Sequence, residues 1–119
     1  MTTRAVSPTF YPQNQAGVVI YEWTGLLNGD DGSPIELPSF PDMSVEFSGT
    51  FGTGGTILLE GSNKGSAYYT LTDPQGNAIS KTAAALEQVE ELVRYVRPRV
   101  SAGDGTTSLT ATLICRRTR

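Results

Sequence analysis

Several groups of side chains in this sequence have the residue types that catalysis or ligand binding requires. They are the glycine-rich stretch 49–55, the paired acids at 30–31 and 90–91, the single Cys115, and the arginines from Arg94 onward. The chain contains no histidine, which excludes Ser-His-Asp and Cys-His nucleophile systems and every histidine metal ligand. Each remaining group is therefore judged by its own spacing.

The glycine-rich stretch 49–55 invites comparison with phosphate-binding loops. A Walker loop ends in Gly-Lys-Ser/Thr, whereas Gly54-Gly55-Thr56 has no lysine. A dinucleotide fingerprint needs a further glycine where Ile57 stands, followed by a helix, but residues 56–60 form a compact apolar run typical of a strand. The spacing favours a flexible hairpin or a contact loop.

The acids have the wrong spacing for a calcium site. In an EF-hand loop counted back from Gly32, the first and third ligand positions would be Leu27 and Gly29, which carry no side-chain oxygen. The two acid pairs could serve as a glycosidase dyad only if the fold joined them, and nothing in the sequence does so. They are interpreted as solvated acids, one pair in a turn and one on a helix.

Cys115 is interpreted as a buried structural thiol. The neighbouring Arg116 could lower the pKa of the thiol, but the chain offers neither a histidine nor a second cysteine to work with it. The sequence therefore predicts no enzymatic activity and no cofactor.

Charge is unevenly distributed along the chain. From Arg94 onward there are six arginines and one acid, and before Arg94 there are three basic residues and eleven acids. Such polarisation can steer association with a charged surface; the alternative is that the arginines only solvate a sheet edge. The net charge of −3 argues against a dedicated nucleic-acid binder.

The elements that must position these groups are mainly strands. Alternating or β-branched runs separated by Gly, Asn, Asp and Pro turns predict an antiparallel β-sandwich that resembles a jelly roll. One short helix is predicted at about 82–93, because this run is rich in Ala, Leu and Glu and places Leu86, Val89 and Val93 on one face. Pro98 is expected to place its strand at an edge or an irregular position.

The predicted organisation is a single domain. Residues 17–115 form the sandwich, with Trp23 in its core, residues 1–16 form an extended N-terminal arm, and residues 116–119 form a basic C-terminal tail. The sequence shows no apolar run of membrane-spanning length and does not begin with a secretory pattern. We therefore expect that the protein is made in a cytoplasm and does not associate with a membrane.

A set of turn and strand motifs between residues 18 and 113 resembles small virion proteins of tailed bacteriophages. The motifs are Trp23-Thr24-Gly25-Leu26, the stretch 49–55, Leu59-Glu60-Gly61-Ser62-Asn63, Arg97-Pro98 and Gly103-Asp104-Gly105-Thr106-Thr107. Proteins of this kind resemble capsid decoration, or cement, proteins. The resemblance supplies no catalytic or ligand-binding residues.

The resemblance implies a jelly-roll-like protein on the outer capsid surface of the virion, made in the host cytoplasm, that bridges subunits of the major capsid protein. It also implies a homo-oligomer, a dimer or trimer, on the capsid. The candidate partner-binding residues are Phe10, Tyr11, Arg97, Arg99, Arg116 and Arg117.

Other functions remain open at this point. The protein could be a tail or neck component of the same particle. It could also be a carbohydrate- or cell-surface-binding sandwich that stacks sugars on Tyr68, Tyr69 or Trp23. A small hydrolase that uses carboxylates is the least favoured alternative.

Overall fold

The computed structural model describes residues 2–10, 17–36 and 42–116. In these residues the chain forms twelve β-strands. They are β1 (Thr3–Arg4), β2 (Ser7–Phe10), β3 (Val18–Leu26), β4 (Asp31–Gly32), β5 (Ile35–Glu36), β6 (Asp42–Thr50), β7 (Thr56–Ser62), β8 (Tyr69–Thr70), β9 (Ser80–Lys81), β10 (Ala85–Gln88), β11 (Tyr95–Ala102) and β12 (Ser108–Arg116). These ranges contain no apolar helix long enough to cross a membrane.

The strands form two sheets that share one hydrophobic core. Sheet A has the order β1-β4-β11-β7-β8, with β5 also paired to β11 and β9 also paired to β7. Sheet B has the order β10-β6-β12-β3-β2. Apart from the parallel β1–β4 pair, the strands pair antiparallel. The predicted mainly-β, antiparallel class is confirmed.

Strand alternation decides which side chains enter the core. In β12, Leu109, Ala111, Leu113 and Cys115 are fully buried, and the residues between them are not. The predicted burial of Cys115 is confirmed, and burial raises the pKa of its thiol to about 12. Trp23 is also fully buried, as predicted, and its indole N–H donates a 2.9 Å hydrogen bond to the carbonyl of Ser33.

The predicted helix at 82–93 is wrong. Residues Ala85–Gln88 form β10, which pairs antiparallel with β6. The expected apolar face is split, because Val89 is buried while Leu86 has 67% of its surface exposed. A helix of about ten residues is marginal on its own, whereas a strand at this position satisfies the backbone groups along β6. Tertiary pairing therefore overrides helix propensity.

The N-terminal segment takes part in both sheets. Strand β1 pairs with β4 in sheet A, and β2 pairs with β3 in sheet B, so residues 3–10 cross from one sheet to the other. Residues 11–16, which complete the predicted arm, lie outside the described residues, as do 117–119 of the predicted tail.

Pro98 lies in an interior strand of sheet A and in an unbroken stretch of the register with β7, not at the expected edge or irregular position. It faces Leu59 of β7, and both backbone groups of Leu59 bond on the opposite side, to Ile79 and Leu71. The Leu59–Pro98 pair therefore exchanges no hydrogen bonds. The nitrogen of Pro98 faces the gap between β5 and β4, where no donor is required.

Gly32 provides a sensitive test of this packing. A Cβ atom at Gly32 would lie 2.5 Å from Cδ1 of Trp23 and 2.7 Å from Cδ of Pro98. We expect Gly32→Ala to lower the free energy of unfolding by about 1–3 kcal/mol through overpacking, measured by urea denaturation. The control is Gly105→Ala, because a Cβ there meets nothing within 4 Å. Equal stability of the two variants would contradict the packing described.

Candidate interaction surface

The outer face of sheet A carries a cluster of charged side chains. Alternation along β11 buries Val96, Pro98 and Val100 and turns Arg97 and Arg99 outward. Strand β7 places Glu60 directly opposite Arg97. We call Arg97, Arg99, Glu60, Asp31 and Tyr68 the arginine cluster.

Glu60 binds both arginines of the cluster. The Nε atom of Arg97 lies 3.1 Å from one carboxylate oxygen of Glu60, and the Nε atom of Arg99 lies 2.9 Å from the other. Arg97 also reaches Asp31, with 3.2 Å between Nη1 and Oδ2. The Glu60 and Asp31 side chains are only 7% and 5% exposed, so these acids would be costly to leave without a cationic partner.

Tyr68 covers the guanidinium of Arg97. The Arg97 Cζ atom lies 3.9 Å from the centre of the Tyr68 ring, a cation–π contact. Burial raises the pKa of the Tyr68 hydroxyl, although the positive charge of Arg97 acts in the opposite direction. Arg97 is thus held between two carboxylates and an aromatic ring, and its interactions lie mainly within the chain.

Asp30 and Asp31 anchor the N-terminal strand. Asp30 accepts hydrogen bonds from the backbone amides of Thr2 and Leu27, at 3.0 and 2.9 Å, and from Arg4 Nε at 2.8 Å. Both acids are almost fully buried, so their interpretation as solvated turn acids was wrong. Across residues 2–10, 17–36 and 42–116, no group of three or more acidic or cysteine side chains is placed to hold a metal ion.

Hydrogen bonding depresses the pKa of Asp30. Burial alone would raise this pKa, but the bonds from the Leu27 amide, Arg4 and the Thr2 amide outweigh it and hold the pKa below its ordinary value.

The glycine-rich loop is closed by the chain's own carboxylate. Asp104 accepts hydrogen bonds from the amide of Thr53 at 2.9 Å and from the amide and hydroxyl of Thr106 at 2.9 and 2.7 Å. These bonds hold the pKa of Asp104 well below its usual range. The Thr107 hydroxyl adds a 2.8 Å bond to the Phe51 carbonyl. The Thr53 amide, which a phosphate-binding loop would offer to a ligand, is therefore already occupied.

The remaining candidate contact residues lie elsewhere. Arg116 is in sheet B, where its side chain is 56% exposed and its Nη2 lies 2.6 Å from Asp42. Phe10 ends β2 opposite Val19, and Arg116 faces Val18 on the same strand. Phe10 and Arg116 are thus backbone neighbours across β3, about 10 Å apart at about 4.8 Å per strand. Tyr11 and Arg117 lie outside the described residues.

The structure separates the candidates into two groups. Arg97 and Arg99 belong to the arginine cluster on sheet A, whereas the backbones of Phe10 and Arg116 lie on either side of β3 at one end of sheet B. We call this second location, defined by the backbones of Phe10, Val18 and Arg116 and the Asp42 side chain, the β2–β12 end. Sequence reasoning missed Glu60 and Asp31 as partners of the arginines. The sequence offered one signal for this pairing, which is that Glu60 is an acid within the otherwise apolar run 56–60.

An exposed tyrosine borders a separate groove. The groove has a volume of about 450 Å³ and is lined by residues that include Tyr69, Glu91 and Val93. Tyr69 is 71% exposed, whereas the Glu91 carboxylate is bound by the amide and hydroxyl of Thr72. Trp23 is buried, so its proposed use as a sugar-stacking residue was wrong.

No protein-family model matches the sequence, and no curated protein matches it. Among solved structures, the SPBc2 prophage-derived protein YomS aligns with a TM-score of 0.62 and 15% identity, over 82% of this chain and 93% of that chain. The chain shares its fold with a prophage-derived protein.

Other solved structures align less closely. The cysteine peptidase peruvianin-I from Thevetia peruviana latex has a TM-score of 0.44 at 16% identity, over 95% of this chain and 63% of that chain. Drosophila melanogaster CENP-C bound to CAL1 has a TM-score of 0.45 at 9% identity, over 93% and 68%. Similarity at this level supports no functional inference.

Removal of Arg97 should destabilise the fold. We expect Arg97→Ala to lower the free energy of unfolding by about 1–3 kcal/mol, because Asp31 loses its cation and Glu60 keeps only one. Arg94→Ala is the matched control, since Arg94 pairs with Glu36 where both side chains are about half exposed, and it should leave urea unfolding unchanged. An Arg97→Ala variant as stable as wild type would show that the contacts of Arg97 contribute nothing to folding.

Asp30 should make stability sensitive to acid. Its pKa is lower in the folded state than the ordinary value of about 3.9. Its contribution is therefore fully present above that pH and is lost as pH falls through the folded-state pKa. We expect Asp30→Asn to be less stable than wild type at pH 7, with the difference shrinking below about pH 4. Urea midpoints measured from pH 7 to pH 3 test this, and a difference independent of pH would refute it.

Proposed function

We propose that this protein is a structural component of a tailed-phage virion that binds the outside of the capsid and stabilises it by bridging major capsid protein subunits. The observation that carries the proposal is the fold shared with prophage-derived YomS over 82% of the chain at a TM-score of 0.62. The resemblance of the turn and strand motifs to decoration proteins supports the same role. We also propose that the strands of the two sheets are connected as in a jelly roll.

The role is mechanical and needs neither an active site nor a cofactor. A protein that binds only the assembled shell stabilises that shell by mass action. A rigid binder loses little conformational freedom on docking. The arginine cluster, the carboxylate that closes the glycine-rich loop and the N-terminal crossing between the sheets all favour such rigidity.

The β2–β12 end is the proposed capsid contact. Arg116 is 56% exposed there and can exchange its bond with Asp42 for an acid on the capsid. Phe10 is close in the backbone, and Tyr11 and Arg117 follow Phe10 and Arg116 in the sequence. Arg97, by contrast, is only 23% exposed, so its proposed role is to support the fold. The side chain of Arg99 is 37% exposed, which is intermediate between Arg97 and Arg116.

Co-sedimentation with capsids that lack the protein tests this role. We expect saturable binding that weakens with salt and makes the shell more resistant to heat. Arg116→Ala should weaken binding at least about fivefold, as expected for an interface contact. Arg94→Ala is the control, because Arg94 is equally exposed at 56% but lies just before β11 of sheet A, away from the β2–β12 end.

The outcomes separate the candidate functions. Absence of wild-type binding to capsids would overturn the decoration role, and binding to purified tails or necks instead would place the protein there. Equal losses in the Arg116 and Arg94 variants would reject the β2–β12 end as the contact. A carbohydrate-binding function is favoured by exposed Tyr69 beside its groove. It requires glycan-array binding that Tyr69→Ala abolishes.

A further inference from the structure

Strand β10 lies at an edge of sheet B, and its outer side has backbone groups without a strand partner in the described part of the chain. Just after β10, the amide of Val89 donates to Met43 on the β6 side, whereas the amide of Glu90 donates to Thr72 on the other side. Antiparallel pairing alternates in this way from residue to residue. Leu86 and Gln88 therefore direct their N–H and C=O groups away from β6.

This edge is only partly protected against strand addition. Natural sheets protect their edges with proline, lysine or bulges, with very short strands and with inward-pointing charges. Strand β10 is four residues long and contains Glu87, which pairs with Lys81 at 2.8 Å, but it has no proline, lysine or bulge and pairs with β6 in an unbroken register. It also presents Leu86, which is 67% exposed. The opposite edge of sheet B, β2, contains Pro8.

We propose that β10 is a self-association edge, at which β10 pairs antiparallel with β10 of a second copy of this chain about a two-fold axis. The pairing would join two five-stranded sheets into one continuous sheet. An isologous contact of this kind closes after two copies. The β2 edge, which lies at the other side of sheet B, stays open in the dimer.

Charge selects the register of this pairing. Residues that direct their hydrogen-bonding groups outward must face each other, which leaves registers centred on Leu86, Glu87 or Gln88. The register centred on Gln88 would pair Leu86 with Glu90, whose amide is already bonded to Thr72. The register centred on Glu87 places two carboxylates directly opposite, which is unfavourable although each is paired with Lys81 of its own copy, and it leaves the two leucines apart. The register centred on Leu86 brings the two leucines together and places Glu87 opposite the alanine at position 85 of the second copy.

The inference rests on the proposed function only in its expectation of a homo-oligomer, and it is tested on the isolated protein. Sedimentation equilibrium should show a mass that rises with concentration from 12.7 kDa towards twice that value. Dimers that fail to bind capsids would remove the capsid role alone. Capsid binding by a protein that stays monomeric at every concentration would remove the β10 pairing alone.

A matched pair of variants isolates the edge. Leu86→Lys should raise the dimer dissociation constant at least about tenfold, because it buries a charge against its own copy at the centre of the contact. Leu92→Lys should leave it unchanged, since Leu92 is just as exposed, at 69%, but lies outside β10. Equal effects of the two substitutions would overturn the proposal.

Cysteine cross-linking tests the register. Facing residues in a hydrogen-bonded antiparallel pair have Cα atoms about 5.5 Å apart, within the range a disulfide spans. Oxidation with diamide should therefore link Leu86→Cys into dimers but not Gln88→Cys, which faces position 84 of the second copy. The native Cys115 is fully buried, and wild type provides the control. Cross-linking of both variants to the same extent, or of neither, would refute this register.

Discussion

The buried carboxylate of Glu60 is the constraint on which the outer face of sheet A depends. It lies on a strand whose inward neighbours fill the core, so it cannot move to water without disturbing β7. It is held instead by two guanidinium groups from β11, one of which also holds Asp31 of β4. Because β11 lies between β7 and β4 in the sheet, a single ionic cluster reinforces three adjacent strands. Replacing any one of these charged residues therefore changes the ion pairing of the others.

Ion pairs within the folded chain compensate for the uneven charge along the sequence. The basic C-terminal part and the acidic N-terminal part do not form opposite poles of the molecule, because folding places them side by side. Arg94 meets Glu36, Arg97 meets Asp31, and Arg116 meets Asp42. These arginines therefore form ion pairs within the chain itself. An external acidic partner must compete with a carboxylate already in place, which favours the most exposed pairs as contacts.

Features carried by strand alternation could be predicted from the sequence, and features decided by distant pairing could not. The alternation of Leu109, Ala111 and Leu113 with threonines indicated a half-buried terminal strand, and β12 is one. Residues 82–93 have real helix propensity, but each residue contributes only a few tenths of a kcal/mol, less than the open edge of β6 offers. The burial of Glu60 and Asp31 likewise depends on strands far apart in the sequence. The candidate contact residues could be named but not grouped, because their division between two sheets follows from the topology.

The crossing of residues 3–10 between the sheets has a mechanical consequence. A pull on the N-terminus along β1 runs perpendicular to the hydrogen bonds between β1 and β4, so it loads them in shear and they must break together rather than one after another. The next strand, β2, belongs to the other sheet, so the load passes from one layer to the other. The N-terminal segment thus acts as a strap across the sandwich, and tension applied there is shared by both layers instead of peeling one away.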